Sequence, residues 1–298
     1  MRARREALER TNEQPGHAGG IRRQSARERS RRGQSSHLIP RTDSSPTPKS
    51  SRGRQSSSCL TGQFFLPYAE EAATYIESLA KPVDRIVLSH IHLDHWSGLP
   101  IFARRFHDAP ICGLAGVDDY LRTNGQRILD ARRLAFGDRI PSRPPVLTAI
   151  PPEGEASIDG VCFEFKRFID AESALQLVAL MLDQQTLLGF DLVFGPNDHV
   201  FTVTAHFENW IAILDGLNAL PGCSRIMSGH GEPTVHSAIN ATIAYLQKAK
   251  EAYSATSDTM EYASRMKAIF CNRQNPAWVD ISASLLYEVV DAYVTDRS

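Results

Sequence analysis

A chain of 298 residues with 42% hydrophobic and 22% charged residues can bury a sizeable core, and no apolar run approaches the roughly 18 residues of a membrane span. The net charge of -1 hides a split: residues 1–60 carry 14 Lys and Arg against 5 Asp and Glu (+9), and the remainder carries 19 against 29 (-10). Five cysteines (Cys59, Cys112, Cys162, Cys223, Cys271) scattered singly, with no CxxC pair, argue against a disulfide framework or a cysteine-based zinc knuckle.

Residues 1–60 are rich in Arg, Ser, Gln, Pro and Gly and show no apolar periodicity, which predicts a disordered basic tail. No aromatic residues interleave with its charges for base stacking, so nucleic acid is not the expected partner. It also lacks the apolar stretch of a secretory leader, and the expected compartment is the cytoplasm. Residues 61–298 read as one domain of alternating α/β type. A helix is predicted over 69–80, with Ala72, Tyr75, Ile76 and Leu79 on one face, and Pro82 helps to end it. "RIVLSH" (85–90) is a short buried strand. Helices follow at 98–106 and 115–135, and strands at 145–149, 161–168, 175–182 and 186–190. A helix at 206–219, a strand at "RIMSGH" and helices over much of 233–293 complete the chain, residues 232–298 forming a C-terminal helical part.

The chemistry concentrates where the 85–90 strand ends. In "HIHLDH", His90 and His92 are two apart, so both imidazoles leave one side of an extended segment, and Asp94 and His95 follow as the chain turns. Clustered imidazole and carboxylate donors suit Zn²⁺ or Fe²⁺. Among the other histidines, His206 reads as the start of the helix holding Trp210, and His107 and His236 as helix-surface residues. No GxSxG elbow, Walker-type glycine loop or dinucleotide fingerprint occurs.

"HIHLDH" resembles the HxHxDH motif of the metallo-β-lactamase superfamily, and "LLGFDLVF" and "SGHGEPT" resemble the family's segments for a bridging aspartate and a last histidine. The resemblance spans about residues 64–245 and implies an αββα sandwich with two metal ions at one end of its sheets. Where many members have a further histidine in a "PGH" turn, this chain reads "FIDAESALQLV". Asp170 and Glu172 are the candidates there, and Glu172 is preferred because it takes the histidine's place relative to the next strand. The implied sets are His90, His92 and Glu172 for one ion and Asp94, His95 and His230 for the other, with Asp191 bridging. Asp94 is also a candidate catalytic group, orienting water or handling its proton. His199, in "GPNDHVF", is a candidate substrate contact on the pocket rim.

Members of the family open with several strands ending in a segment like "LIDTG", whereas here the likeness begins near "GQFFLPYAEEAA"; an incomplete first sheet is therefore expected. The implied activity is hydrolysis of a small ester, thioester or lactone by a zinc-held hydroxide, with a small-molecule substrate as partner. Two rival readings stand beside it. His90, His92 and Glu172 form a 2-His-1-carboxylate set that also suits a mononuclear iron oxygenase, of the persulfide dioxygenase kind. A non-catalytic or truncated member is the other.

Overall fold

The computed structural model describes residues 37–38, 57–60, 62–150, 153–158, 160–220 and 223–287, all within the unit Gly33–Ser298. Two sheets form its middle. One has the order β1-β2-β3-β4-β5, from His37–Leu38, Ser57–Leu60, Val83–Val87, Ile111–Leu114 and Thr148–Ile150. The other has the order β11-β10-β9-β8-β7-β6, where β6 is Gly154–Ile158, β7 Val161–Ile169, β8 Leu175–Met181, β9 Thr186–Phe190, β10 Arg225–Ser228 and β11 Thr234–Val235.

One sequence expectation is corrected here. Ser57–Leu60 is not part of a structureless tail: it pairs parallel with β3, Cys59 opposite Ile86 and Leu60 opposite Val87. His37–Leu38 pairs antiparallel with it. Among the described residues the first sheet thus has two short strands beyond β3. A run of serines ending in Cys-Leu has little of the β-branched or aromatic content that marks a strand, and only its pairing with β3 identifies it. The rest of the basic segment lies outside the described residues.

Helix α1 (Leu66–Ser78) buries Ala69, Ala73 and Ile76, the i, i+4, i+7 stripe of a 3.6-residue period, while Tyr75 is turned outward. The expected face was therefore rotated. A single turn, α2 (Leu93–Trp96), leads into α3 (Leu99–Arg105), and α4 (Ala115–Phe136) follows β4. These helices pack on the first sheet. Helices α5 (Phe207–Asn218), α6 (Ser237–Ser254), α7 (Thr259–Ile269) and α8 (Ala277–Leu286) pack on the second.

Strand β8 shows how the layers are divided. Leu177, Ala179 and Met181 join the core that holds Ile86, Leu88 and Trp96, while Val178 and Leu180 join the core that holds Trp210, Leu246 and Met266. Period-two alternation thus sends one strand's side chains into two apolar layers. The strand is buried on both faces and reads as a near-continuous apolar run. This is the αββα sandwich. Among the described residues no helix is long and apolar enough to cross a membrane.

Candidate metal centre

Each expected ligand is delivered by the end of an element. Past β3 the chain stays extended through Ser89 and His90, held by the Leu177 amide donating to the Ser89 carbonyl (2.8 Å) and by a bridge between His90 and Gln176. His92 then caps α2, so Asp94 and His95 turn back over the strand end. The Trp96 indole N–H donates to the Ile91 carbonyl (2.8 Å), and the Gly62 amide to the His95 carbonyl (2.6 Å), which clamp this turn.

Glu172 lies in the turn between β7 and β8. Asp170 adopts φ +51°, in the left-handed region that Asp tolerates better than most residues, and the turn sends Glu172 inward and Asp170 outward. Glu172 is fully buried, whereas the Asp170 side chain is 54% exposed and nearest His206, at 4.0 Å. Asp191 follows β9 directly, after Phe190 at φ +46°, an unusual angle for a bulky residue and one stored next to a site residue. His230 sits between Gly229 and Gly231 just past β10.

The structure brings these residues into two groups, His90, His92, Glu172 and Asp191, and Asp94, His95, Asp191 and His230, whose donor atoms lie within 4.8 Å of one another in each group. His90 Nε2 is 3.6 Å from Glu172 Oε2, and His92 Nδ1 is 3.0 Å from Glu172 Oε1. Asp191 Oδ2 is 3.8 Å from His90 Nε2, 3.2 Å from His95 Nε2 and 3.2 Å from His230 Nε2, so it stands between the groups. Asp94 Oδ2 is 3.0 Å from His230 Nε2 and 3.6 Å from His95 Nε2. Both groups have the same make-up: two imidazoles, one carboxylate of their own, and the shared Asp191.

Burial and neighbours set the charge states. Desolvation, then His95 and His92, hold His90 well below the usual imidazole range, leaving it neutral as a ligand must be. Burial pushes Glu172 up to about 7 against the pull of His92. For Asp191 burial acts upward, but His95 and His230 overcome it and hold the carboxyl well below its usual range. Asp94 is likewise lowered by His95 and His230 against the effect of burial. In turn His230 is raised well above the usual range by Asp191 and Asp94, although burial opposes this.

The residues fit a metal pair. Neither Glu172 oxygen, nor Asp191 Oδ1, has an aligned hydrogen bond among the described residues, although all three atoms are buried. Buried carboxylate oxygens left so are costly unless a cation or a donor meets them. The Ser89 hydroxyl lies 2.8 Å from His90 Nδ1, the ring nitrogen facing away from the cluster. It can fix the ring's tautomer and orientation, as outer partners of ligating histidines do.

Two parts of the site were not anticipated from sequence. A Cβ on Gly229 would lie 1.8 Å from Asp191 Oδ1 and 3.1 Å from His95 Cε1, so only glycine fits there. Trp278 at the start of α8 lies 5.1 Å from the His230 ring, centroid to centroid. The "SGHG" spelling could have flagged the first; nothing local flags the second.

His199 is corrected. It is 1% exposed, with Nδ1 3.0 Å from the Tyr245 hydroxyl and its ring edge-on to Phe270, inside the second core rather than on the rim. Burial, then Arg273 and Lys267, push its pKa down to about 4. Its neighbour Asp198 contacts the C-terminal segment instead. The Arg273 guanidinium donates to the Asp198 carbonyl (2.7 Å), the Asn275 amide to Asp198 Oδ1 (2.9 Å), and the Gln274 N–H to the Asn197 carbonyl (2.7 Å). His206 caps α5 as expected, and His236 precedes α6 with Nδ1 2.9 Å from the Cys223 carbonyl.

The model of the metallo-beta-lactamase superfamily matches residues 57–167, a span that begins at β2 and includes His90, His92, Asp94 and His95. No curated protein matches the chain. Among solved structures, a metallo-beta-lactamase from Pontibacter korlensis is 18% identical with a TM-score of 0.53, the match covering 71% of this chain and 99% of that one. The metallo-beta-lactamase IND-7 is 18% identical at TM-score 0.52, covering 65% and 83%. FIM-1 from Pseudomonas aeruginosa, in its mono-zinc form, is 14% identical at TM-score 0.50, covering 67% and 82%. The chain therefore has the metallo-beta-lactamase fold, and its residues 57–167 match the model of that superfamily.

Proposed function

We propose that the protein is a metal-dependent hydrolase of a small ester, thioester or lactone, holding two divalent ions, zinc being the expected metal. The observation that carries this reading is the pair of four-donor groups sharing Asp191. His90, His92 and Glu172 would hold one ion, Asp94, His95 and His230 the other, and Asp191 both. When bound, such ions acidify water toward neutral pH and polarise an acceptor oxygen.

The remaining work falls to the chain. His90, Glu172 and Asp191 are buried, and among the described residues of the two groups Asp94 and His230 are the most open, with side chains 28% and 12% exposed, so substrate and water would approach over them. Asp94, kept ionised by His95 and His230, is placed at that edge to accept a hydrogen bond from the attacking water and orient it. Hydrolysis then joins the water oxygen to the acyl carbon, breaks the acyl–oxygen or acyl–sulfur bond and delivers the proton to the leaving atom. Phe194 stacks on His230 at 6.3 Å and backs that ligand with apolar surface.

The second donor group, Asp94, His95 and His230, favours this reading over a mononuclear iron oxygenase, which would need only the first. The test is a panel of small esters, thioesters and lactones incubated with metal-free and zinc-loaded protein. Metal-dependent turnover of one class is expected; loaded protein that hydrolyses none of them overturns the proposal.

A further inference from the structure

The three tryptophans differ in a way that packing alone does not require. Trp96 and Trp210 are fully buried, and each donates its indole N–H to a backbone carbonyl, of Ile91 and Leu192 respectively. Trp278 is partly exposed and stands against a residue of the metal centre. Its ring is edge-on to His230 at 5.1 Å and to Phe194 at 6.2 Å. Across the cluster, Phe201 is also partly exposed and meets the His92 ring edge-on at 6.5 Å.

Trp278 therefore stands beside His230, one of the two residues on the accessible edge of the cluster. Trp278 is not free to swing away with α8. The segment before it is tied to the loop after β9 by the Arg273, Gln274 and Asn275 contacts to Asn197 and Asp198. A rigid aromatic face beside a reacting centre is a preformed platform for a flat apolar group, to which stacking adds beyond area burial.

We propose that Trp278 forms an apolar subsite flanking the open edge of the metal centre, one that takes an ester or lactone with a flat apolar group on its acyl side. The proposal rests on the hydrolase reading above. It places the determinant of substrate choice in the C-terminal segment, some fifty residues beyond His230, where no ligand lies.

The experiment uses the full chain loaded with zinc and two readouts. In the first, methyl phenylacetate and methyl acetate are compared as substrates. Trp278→Ala should raise KM for methyl phenylacetate by about tenfold more than KM for methyl acetate, the scale of losing one apolar contact in a pocket. Trp278→Phe should recover most of that difference. In the second, phenylacetamide is added without turnover and tryptophan emission is followed, Trp278 being the indole that solvent reaches. Saturable change in the parent, absent in Trp278→Ala, supports the subsite even if no ester is hydrolysed, in which case the hydrolase reading alone fails. Equal losses for both neutral esters in Trp278→Ala, or phenylacetamide binding to that variant as to the parent, overturns the subsite.

Discussion

Replacing Gly229 by alanine isolates a single steric contact. The glycine's backbone angle is one that any residue adopts, so the substitution carries no penalty from φ. What it adds is a methyl group 1.8 Å from Asp191 Oδ1 and 3.0 Å from Asp191 Cγ. Ordinary contact begins near 3.4 Å, so the carboxylate and the β10 turn must separate by about 1.6 Å. Asp191 is 1% exposed, with Leu192, Val193 and Phe194 packed behind it, and has no solvent to move into. A shift of that size is well beyond the ~0.5 Å tolerance of a preorganised site. Because Asp191 belongs to both donor groups, affinity should fall at both positions together, by more than the 10–100-fold typical of an outer-shell loss. The overpacking itself should cost the fold only about 1–3 kcal/mol. Metal content after equilibrium dialysis, with thermal unfolding of the chelator-treated protein as the folding control, reads both quantities. A folded Gly229→Ala protein that keeps two ions at the parent's affinity would refute the steric argument.

Three further outcomes follow from other parts of the structure. Glu172→Gln should weaken metal at the His90 and His92 position by orders of magnitude while Asp170→Asn leaves metal content unchanged; the reverse pattern, read by elemental analysis, would move the ligand to Asp170. Ser89→Ala removes the partner of His90 Nδ1 and should lower metal affinity about 10–100-fold without changing the number of ions bound; unchanged affinity in a chelator competition would show that the serine does not orient the ring. Deleting residues 1–60 strips β2 from β3 and should lower the melting temperature by several degrees, since about 1 kcal/mol shifts Tm by ~2–4 °C in a domain of this size; an unchanged Tm would mean that this pairing contributes nothing.

The parts of the centre legible in the sequence are those that local geometry dictates. His90 and His92 share a side because a strand repeats every two residues, and Asp94 and His95 swing over because one helical turn follows. Asp191 and His230 were placed by the resemblance of "LLGFDLVF" and "SGHGEPT" to the family's segments, and each closes a short strand, β9 or β10. Glu172 was preferred through the same resemblance; a left-handed residue at Asp170 reverses the chain just before it, so Glu172 is buried and Asp170 exposed. What sequence did not carry is set by distant partners. His199 lies eight residues past Asp191 and still turns into the core, because Tyr245 from α6 meets it there. Ser57–Leu60 is a strand only because β3 offers it an edge. Trp278 reaches the His230 ring from a segment tied to Asn197 and Asp198.

The most direct test of the account is a zinc titration of the full chain beside His230→Ala, with bound metal counted per chain. The parent should saturate at two equivalents. His230→Ala should retain one, held by His90, His92, Glu172 and Asp191, and lose metal-dependent hydrolysis. Saturation of the parent at a single equivalent, or two ions retained in the variant, would contradict a pair of ions sharing Asp191.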